Sequence, residues 1–139
     1  MDYTYQFDVQ RQHPFGIVAL HLDNRPVGSC GFLAKDNMIE LGPFFCPLTV
    51  TSEFRGNDLG YSIVIETIGY AIRSLEEAGI RASTLTAKTG SGNIHAIDIL
   101  ERLGFCPSVN LISSGVRACI EDEPIRYMLP IEDYQDNMR

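Results

Sequence analysis

The segment Leu48 to Gly60, LTVTSEFRGNDLG, joins a β-like run to a helical pattern through a polar loop carrying Arg55, Gly56 and Gly60. A helix start offers backbone N–H groups without intrahelical acceptors at the positive end of the helix dipole, a combination that binds phosphate. Glycine lets an anion reach the backbone with no Cβ in the way. The chemistry indicated is anion binding by amides rather than by net charge. A plainer reading fits the same residues: Gly56 and Gly60 only shape a tight strand-to-helix turn, and Arg55 is a solvated charge. The sequence has no G-x-x-x-x-G-K-[ST] and no G-x-G-x-x-G near an early strand, so neither a P-loop nucleotidase nor a dinucleotide fold is supported.

Other reactive side chains are scattered. Cys30, Cys46, Cys106 and Cys119 form no C-x-x-C pair, and only His13, His21 and His95 could join them, so no metal site is expected. Well-separated cysteines read as free thiols of a reducing, cytoplasmic protein. His21 and His95 read as surface or cap residues, and Cys46 as an inert buried thiol or a pocket wall.

The elements that must position the loop follow from periodicity. Tyr3, Tyr5, Phe7 and Val9 alternate with polar residues, as in a half-buried strand. Gly16 to Leu22 and Val27 to Leu33 form a hairpin across Asp23-Asn24-Arg25-Pro26, and Asp36-Asn37 makes the next turn. Met38 to Thr51 is β-rich but broken by Gly42, Pro43 and Pro47, so it should contain a bulge or lie partly unpaired. From about Leu59 to Ala78 the period is helical, with Val64, Ile65, Ile68, Ile72 and Leu75 on one stripe and Gly79 just past the end. Arg81 to Lys88 reads as a strand. Asn93 caps a second helix with Ile94, Ile97, Leu100 and Leu103 on its apolar face and Gly104 as its stop. Val109 to Ser113 and Ile125 to Ile131 are β-like, with Val116 to Ile120 a candidate third run. The acidic tail 132–139 is expected to fray. The order predicts an α/β (α+β) domain spanning 1–139, with a mixed, largely antiparallel sheet of six to seven strands and two main helices.

Composition sets the outer limits. The 139 residues suit one core, and 45% hydrophobic with 21% charged residues is globular. A formal charge of −7 and a pI near 4.8 have the wrong sign for a nucleic-acid partner. Six acidic against two basic side chains fall within 121–139, so the surplus describes a tail more than a site. No basic leader or membrane-length apolar stretch occurs, so no membrane partner is expected.

These motifs together resemble the GNAT superfamily of acetyl-CoA-dependent N-acetyltransferases. Its R/Q-x-x-G-x-G/A signature, following an apolar strand end, is matched by Val50 and by Arg55, Gly56, Asn57, Asp58, Leu59 and Gly60. Its downstream N-x-x-A and closing L-G-F are matched by Asn93, Ala96 and Leu103-Gly104-Phe105, while ELGP, Glu40 to Pro43, looks like the approach to the fourth strand. The resemblance implies a pantetheine arm between splayed parallel strands, Leu48 to Thr51 and Arg81 to Lys88, with the pyrophosphate on the amides of Arg55 to Gly60. It also implies an oxyanion donor at the N–H near Val50 and direct attack by an amine. The implied acetyl-CoA-binding set is Leu48, Thr49, Val50, Arg55, Gly56, Asn57, Asp58, Leu59, Gly60, Tyr61 and Asn93. Glu40 is the candidate general base.

Three departures stand beside the matches. Asp58 occupies a position usually held by glycine; it either repels the pyrophosphate or turns outward to cap the helix. Leu100 stands where a tyrosine usually protonates the leaving thiolate, and Tyr61, Tyr127 and Cys106 are unranked substitutes. The helices usually found between the first strand and the hairpin have no room, so the acceptor side should be open or completed by another subunit. The resemblance thus implies an acetyltransferase acting on a small-molecule or peptide amine, or else a GNAT-fold binding or assembly module that has lost catalysis. Exposed strand edges make a homodimer the expected assembly.

Overall fold

The computed structural model describes residues 5–12, 15–42, 48–56, 58–90, 92–108 and 125–139. Strands β1 (Tyr5–Gln12), β2 (Phe15–Leu22) and β3 (Arg25–Lys35) form an antiparallel meander, followed by β4 (Met38–Leu41). Asp23 and Asn24, then Asp36 and Asn37, take positive φ between 49° and 67°. Paired left-handed residues turn a two-residue hairpin with the twist its strands need, and Asp and Asn tolerate that conformation best after glycine.

The ladder between β3 and its neighbour breaks after Leu41 and resumes at β5 (Thr49–Val50), where Val50 pairs with Gly28. This is the interruption expected from the glycine and prolines of 38–51. A 3₁₀ turn, Ser52–Phe54, leads to α1 (Leu59–Glu77), then β6 (Thr84–Thr89), α2 (Ile94–Leu103), β7 (Cys106–Pro107) and β8 (Ile125–Pro130). The sheet order is β1-β2-β3-β4-β6-β8-β7, with β5 beside β3. Among the described residues only β4 and β6 pair in parallel; the other pairs are antiparallel, in agreement with the expected mixed sheet. The described residues contribute eight strands to it because β5 and β7 are separate two-residue pieces. The candidate strands at 109–113 and 116–120 lie outside the described residues.

Alternation along the strands buries one face against the helices. Val18, Phe32, Ile39, Leu41, Leu85, Ala87, Tyr127 and Leu129 join Val64, Ile68, Ala71 and Leu75 of α1 and Leu100 and Leu103 of α2 in one cluster. Several expectations shift in detail. Ile63, Thr67 and Ala71 lie deeper on α1 than Ile65 and Ile72, which pack at the cluster's margin. Thr67 is tolerated there because its hydroxyl donates to the Ile63 carbonyl at 2.7 Å. Ile94, expected on the apolar face of α2, is 75% exposed because it opens the helix before the chain has turned inward.

The tail does not fray. Ile131–Asn137 forms a third helix, α3, which buries Ile131 and Tyr134 against the main cluster. Two apolar side chains three residues apart share one helix face, and Glu132 and Asp133 in the first turn favour its dipole. Among the described residues, no helix is long and apolar enough to cross a membrane.

Candidate active-site cleft

The parallel ladder pairs Met38 with Thr84 through Leu41 with Ala87 and then stops. Beyond it, Lys88 and Thr89 continue alongside β8, whereas Thr49 and Val50 pair with β3. The rungs to β6 come from Met38–Leu41; Thr49 and Val50, antiparallel to β3 as β4 is, run in the same direction as β6 but pair with β3 instead, and β6 begins at Thr84 rather than Arg81. The expected splay is present because the chain leaves β6 after Leu41 and returns beside β3. Gly28 permits that return: a Cβ there would lie 2.2 Å from the Thr49 carbonyl oxygen.

Between the diverging strands lies a cleft of about 800 Å³. Its buried wall is apolar, formed by Cys30, Leu41, Val64, Ala87 and Leu100. Its outer wall carries Arg55, Gly56, Asp58, Lys88, Asn93, His95 and Asp98. Leu48, Thr49, Val50, Arg55, Gly56, Asp58, Leu59, Gly60, Tyr61 and Asn93 all line it. Asn57 lies outside the described residues. Glu40 does not line the cleft; it is half-buried on β4 between buried Ile39 and Leu41, so its side chain points to the sheet face away from the helices.

The backbone at the end of β5 alternates in direction. Thr51 N–H donates to the Val27 carbonyl at 2.8 Å. Antiparallel strands direct alternate residues to opposite sides, so the N–H of Val50 points away from β3, toward the opening. Arg55 folds back and donates from Nε to the Val50 carbonyl at 3.2 Å, bracing the strand end. Gly56 has φ +88°, and nothing lies within 4 Å of where its Cβ would be. Helix α1 starts without a side-chain cap and with no acid in its first turn, which leaves its leading N–H groups available. Gly60 keeps the start of α1 close to α2, since a Cβ there would approach Ile99 Cδ1 to 3.3 Å.

Asp58 does not cap the helix, and it lines the cleft. It takes the left-handed conformation, φ 60°, that glycine adopts without strain, and its carboxylate makes no helix cap. It accepts two hydrogen bonds from Arg102 of α2, Nη1 to Oδ1 at 2.7 Å and Nη2 to Oδ2 at 2.9 Å. The Arg102 hydrogen bonds hold the Asp58 carboxyl below the usual carboxylate range, against the opposing loss of hydration. Arg102 also lies over the Tyr61 ring, 4.1 Å from its centroid. It was missed in the sequence because its partner is 44 residues away, with no local pattern linking them.

Asn93 caps α2 as expected, its side chain accepting from Ala96 N–H at 3.2 Å. His95, read as a surface or cap residue, is exposed and lines the cleft. Leu100 lines it without offering a proton; of Tyr61, Tyr127 and Cys106, only Tyr61 borders the cleft. Cys30 is buried and Cys106 exposed, and no group of three or more metal-ligating side chains occurs among the described residues.

No protein-family profile and no curated protein sequence matches this chain. Solved structures do. The N-acetyltransferase PseH of Campylobacter jejuni, solved with acetyl coenzyme A, superposes with a TM-score of 0.61 at 18% identity, over 86% of this chain and 70% of that one. The spermidine/spermine N-acetyltransferase SpeG of Vibrio cholerae gives 0.69 at 11% identity, over 93% and 72%. The ribosomal-protein-S18-alanine N-acetyltransferase of Escherichia coli gives 0.61 at 18% identity, over 87% and 72%. With its sheet parted beyond Leu41 and Ala87 and α1 opening onto the gap, the chain has the fold of the GNAT N-acetyltransferases.

Proposed function

We propose that this protein is an acetyl-CoA-dependent N-acetyltransferase that transfers the acetyl group directly to a primary amine of a small molecule or a peptide. The observation that supports this reading best is the cleft at the end of the β4–β6 ladder, which meets both the inward Val50 N–H and the uncapped start of α1. The residues present fit the cosubstrate. The volume is in the range of ligand clefts, the open position at Gly56 admits an anion against the backbone, and the buried wall suits an acyl-pantetheine end.

In this reading Leu48, Thr49 and Val50 hold the pantetheine by strand-like contacts, and the amides from Arg55 to Gly60 take the pyrophosphate. Tyr61 and Asn93 flank it. The Val50 N–H stabilises the negative charge that develops on the thioester oxygen. The amine nitrogen forms its bond to carbon as the carbon–sulfur bond breaks; the amine loses a proton and the sulfur gains one. Glu40, next to the last rung of the ladder and on the face away from the helices, is the proposed acceptor of the amine proton, for an amine entering from that face. Leu100 supplies no proton to the sulfur, so that proton comes from elsewhere. The assignment includes a cytoplasmic protein that binds neither nucleic acid nor membrane.

Calorimetric titration with acetyl-CoA tests the first half: saturable 1:1 binding is expected, and none at millimolar ligand would sink it. A screen of polyamines, amino sugars and peptide N-termini, read by release of free thiol, tests the second. Tight binding with no turnover on any amine removes the transferase role. Glu40→Gln should lower turnover while leaving acetyl-CoA binding intact.

A further inference from the structure

Asp58 puts a carboxylate at the mouth of a cleft whose other features favour an anion. Arg102 stands behind it, outside the cleft lining, and joins the start of α1 to the last turn of α2. Its two nitrogens meet the two carboxylate oxygens in the parallel fork that guanidinium and carboxylate form best. The Tyr61 ring lies beneath the guanidinium, and Asp98 Oδ2 is 3.8 Å away on the same helix, so the arginine is held from three sides. Aspartate tolerates φ 60° better than most residues, and the fork ties its side chain across to α2 in that conformation.

We infer that Arg102 is a positioning residue for the anion site: by holding the Asp58 carboxylate it fixes the left-handed turn before α1 and cancels a negative charge that would otherwise face the bound pyrophosphate. This rests on the acetyl-CoA reading and adds to it the reason the loop tolerates aspartate at a glycine position. The lowered pKa of Asp58 fits the same geometry, since a carboxylate held by a guanidinium keeps its charge and its partner over a wider pH range.

The test compares wild type, Arg102→Ala, Arg102→Lys and the double variant Arg102→Ala/Asp58→Asn in the intact protein. Their ligands are CoA and, as a probe without phosphates, pantetheine. Arg102→Ala should weaken CoA binding by roughly threefold to thirtyfold at low salt, and less at high salt, where unpaired surface charges are screened. Pantetheine binding should be unchanged. Arg102→Lys, which keeps the charge but loses the fork, should fall between. Replacing Asp58 with Asn in the Ala background should restore most of the CoA affinity. CoA binding unchanged in Arg102→Ala, no rescue by Asn, or an equal loss for pantetheine would each overturn the inference. If wild type binds no CoA, the acetyl-CoA reading fails separately. The positioning role is then read from amide hydrogen exchange across residues 56–61, which Arg102→Ala should accelerate; unchanged exchange would overturn it.

Discussion

At the scale of single residues, the cleft depends on a contact that leaves no room for a side chain. Gly28 faces the Thr49 carbonyl oxygen at 2.2 Å and Val50 Cα at 3.1 Å from the position its Cβ would take. Backbone cannot move aside as the end of a flexible side chain can. Gly28→Ala should therefore push β5 off β3, at about 1 to 3 kcal/mol or more of overpacking. Chemical denaturation should report that loss, along with weaker acetyl-CoA binding, since Val50 moves with the strand. Asp58 carries a pH signature of the opposite kind, small and electrostatic. Its folded-state pKa is depressed below 3.8 by Arg102, so its contribution to stability is present above the unfolded pKa and is lost as pH falls through the folded one. The stability difference between wild type and Asp58→Asn should be constant near neutral pH and shrink on acidification below about pH 4, the ordinary carboxylate range. Because both partners are largely exposed, the effect is expected to be small.

At the scale of elements, helix ends decide where the walls of the cleft stand. Asn93 satisfies the Ala96 N–H at the start of α2, which carries Ile99 and Leu100 into the cleft. Asn93→Ala should cost about 1 kcal/mol, the usual worth of such a cap, visible as a lower thermal midpoint. If Asn93 also touches the cosubstrate, acetyl-CoA affinity falls by more than that stability loss explains. The elements legible in sequence are those with local causes. The two Asp-Asn turns, the stripe on α1, the Asn93 cap and the Gly104 stop at φ 101° each depend on residues within a few positions. What escaped is decided at a distance. The pairing of Val50 with Gly28 and the fork between Asp58 and Arg102 join segments with no shared pattern. The seven-residue α3 was hidden for a related reason: so short a helix has little intrinsic stability, and its order comes from burying Ile131 and Tyr134. The loop was legible as a motif and the parting of the strands as what the family resemblance implied; the pairing of Val50 with Gly28 that holds them apart was not.

At the scale of the molecule, the helices α1, α2 and α3 share one apolar cluster on one face of the sheet, and α1 also packs through Ile63 into a second with Leu20, Leu22, Val27 and Cys30. β1 and β2 are joined by residues 13–14 alone, so the helices that GNAT proteins usually insert there have no place, as the sequence spacing implied. The opposite face carries half-buried Phe15, Ile17, Ala19, Leu33, Met38 and Glu40. If Glu40 is the base, the acceptor amine must be held on that face. A second copy of the chain is the expected means of enclosing it, because among the described residues β1 pairs on one side only, with β2, and such an edge invites a symmetric partner. Sedimentation velocity should then find a species of twice 15.5 kDa, and activity per protomer should fall on dilution through the dissociation range. Ile17→Asp, which puts a charge on that half-buried face away from the cleft, should shift the protein to monomer and raise the acceptor KM while leaving acetyl-CoA affinity unchanged. A monomer whose specific activity is independent of concentration would refute the dimer; the acceptor would then have to supply its own enclosure, as a folded protein or long peptide does and a small amine does not.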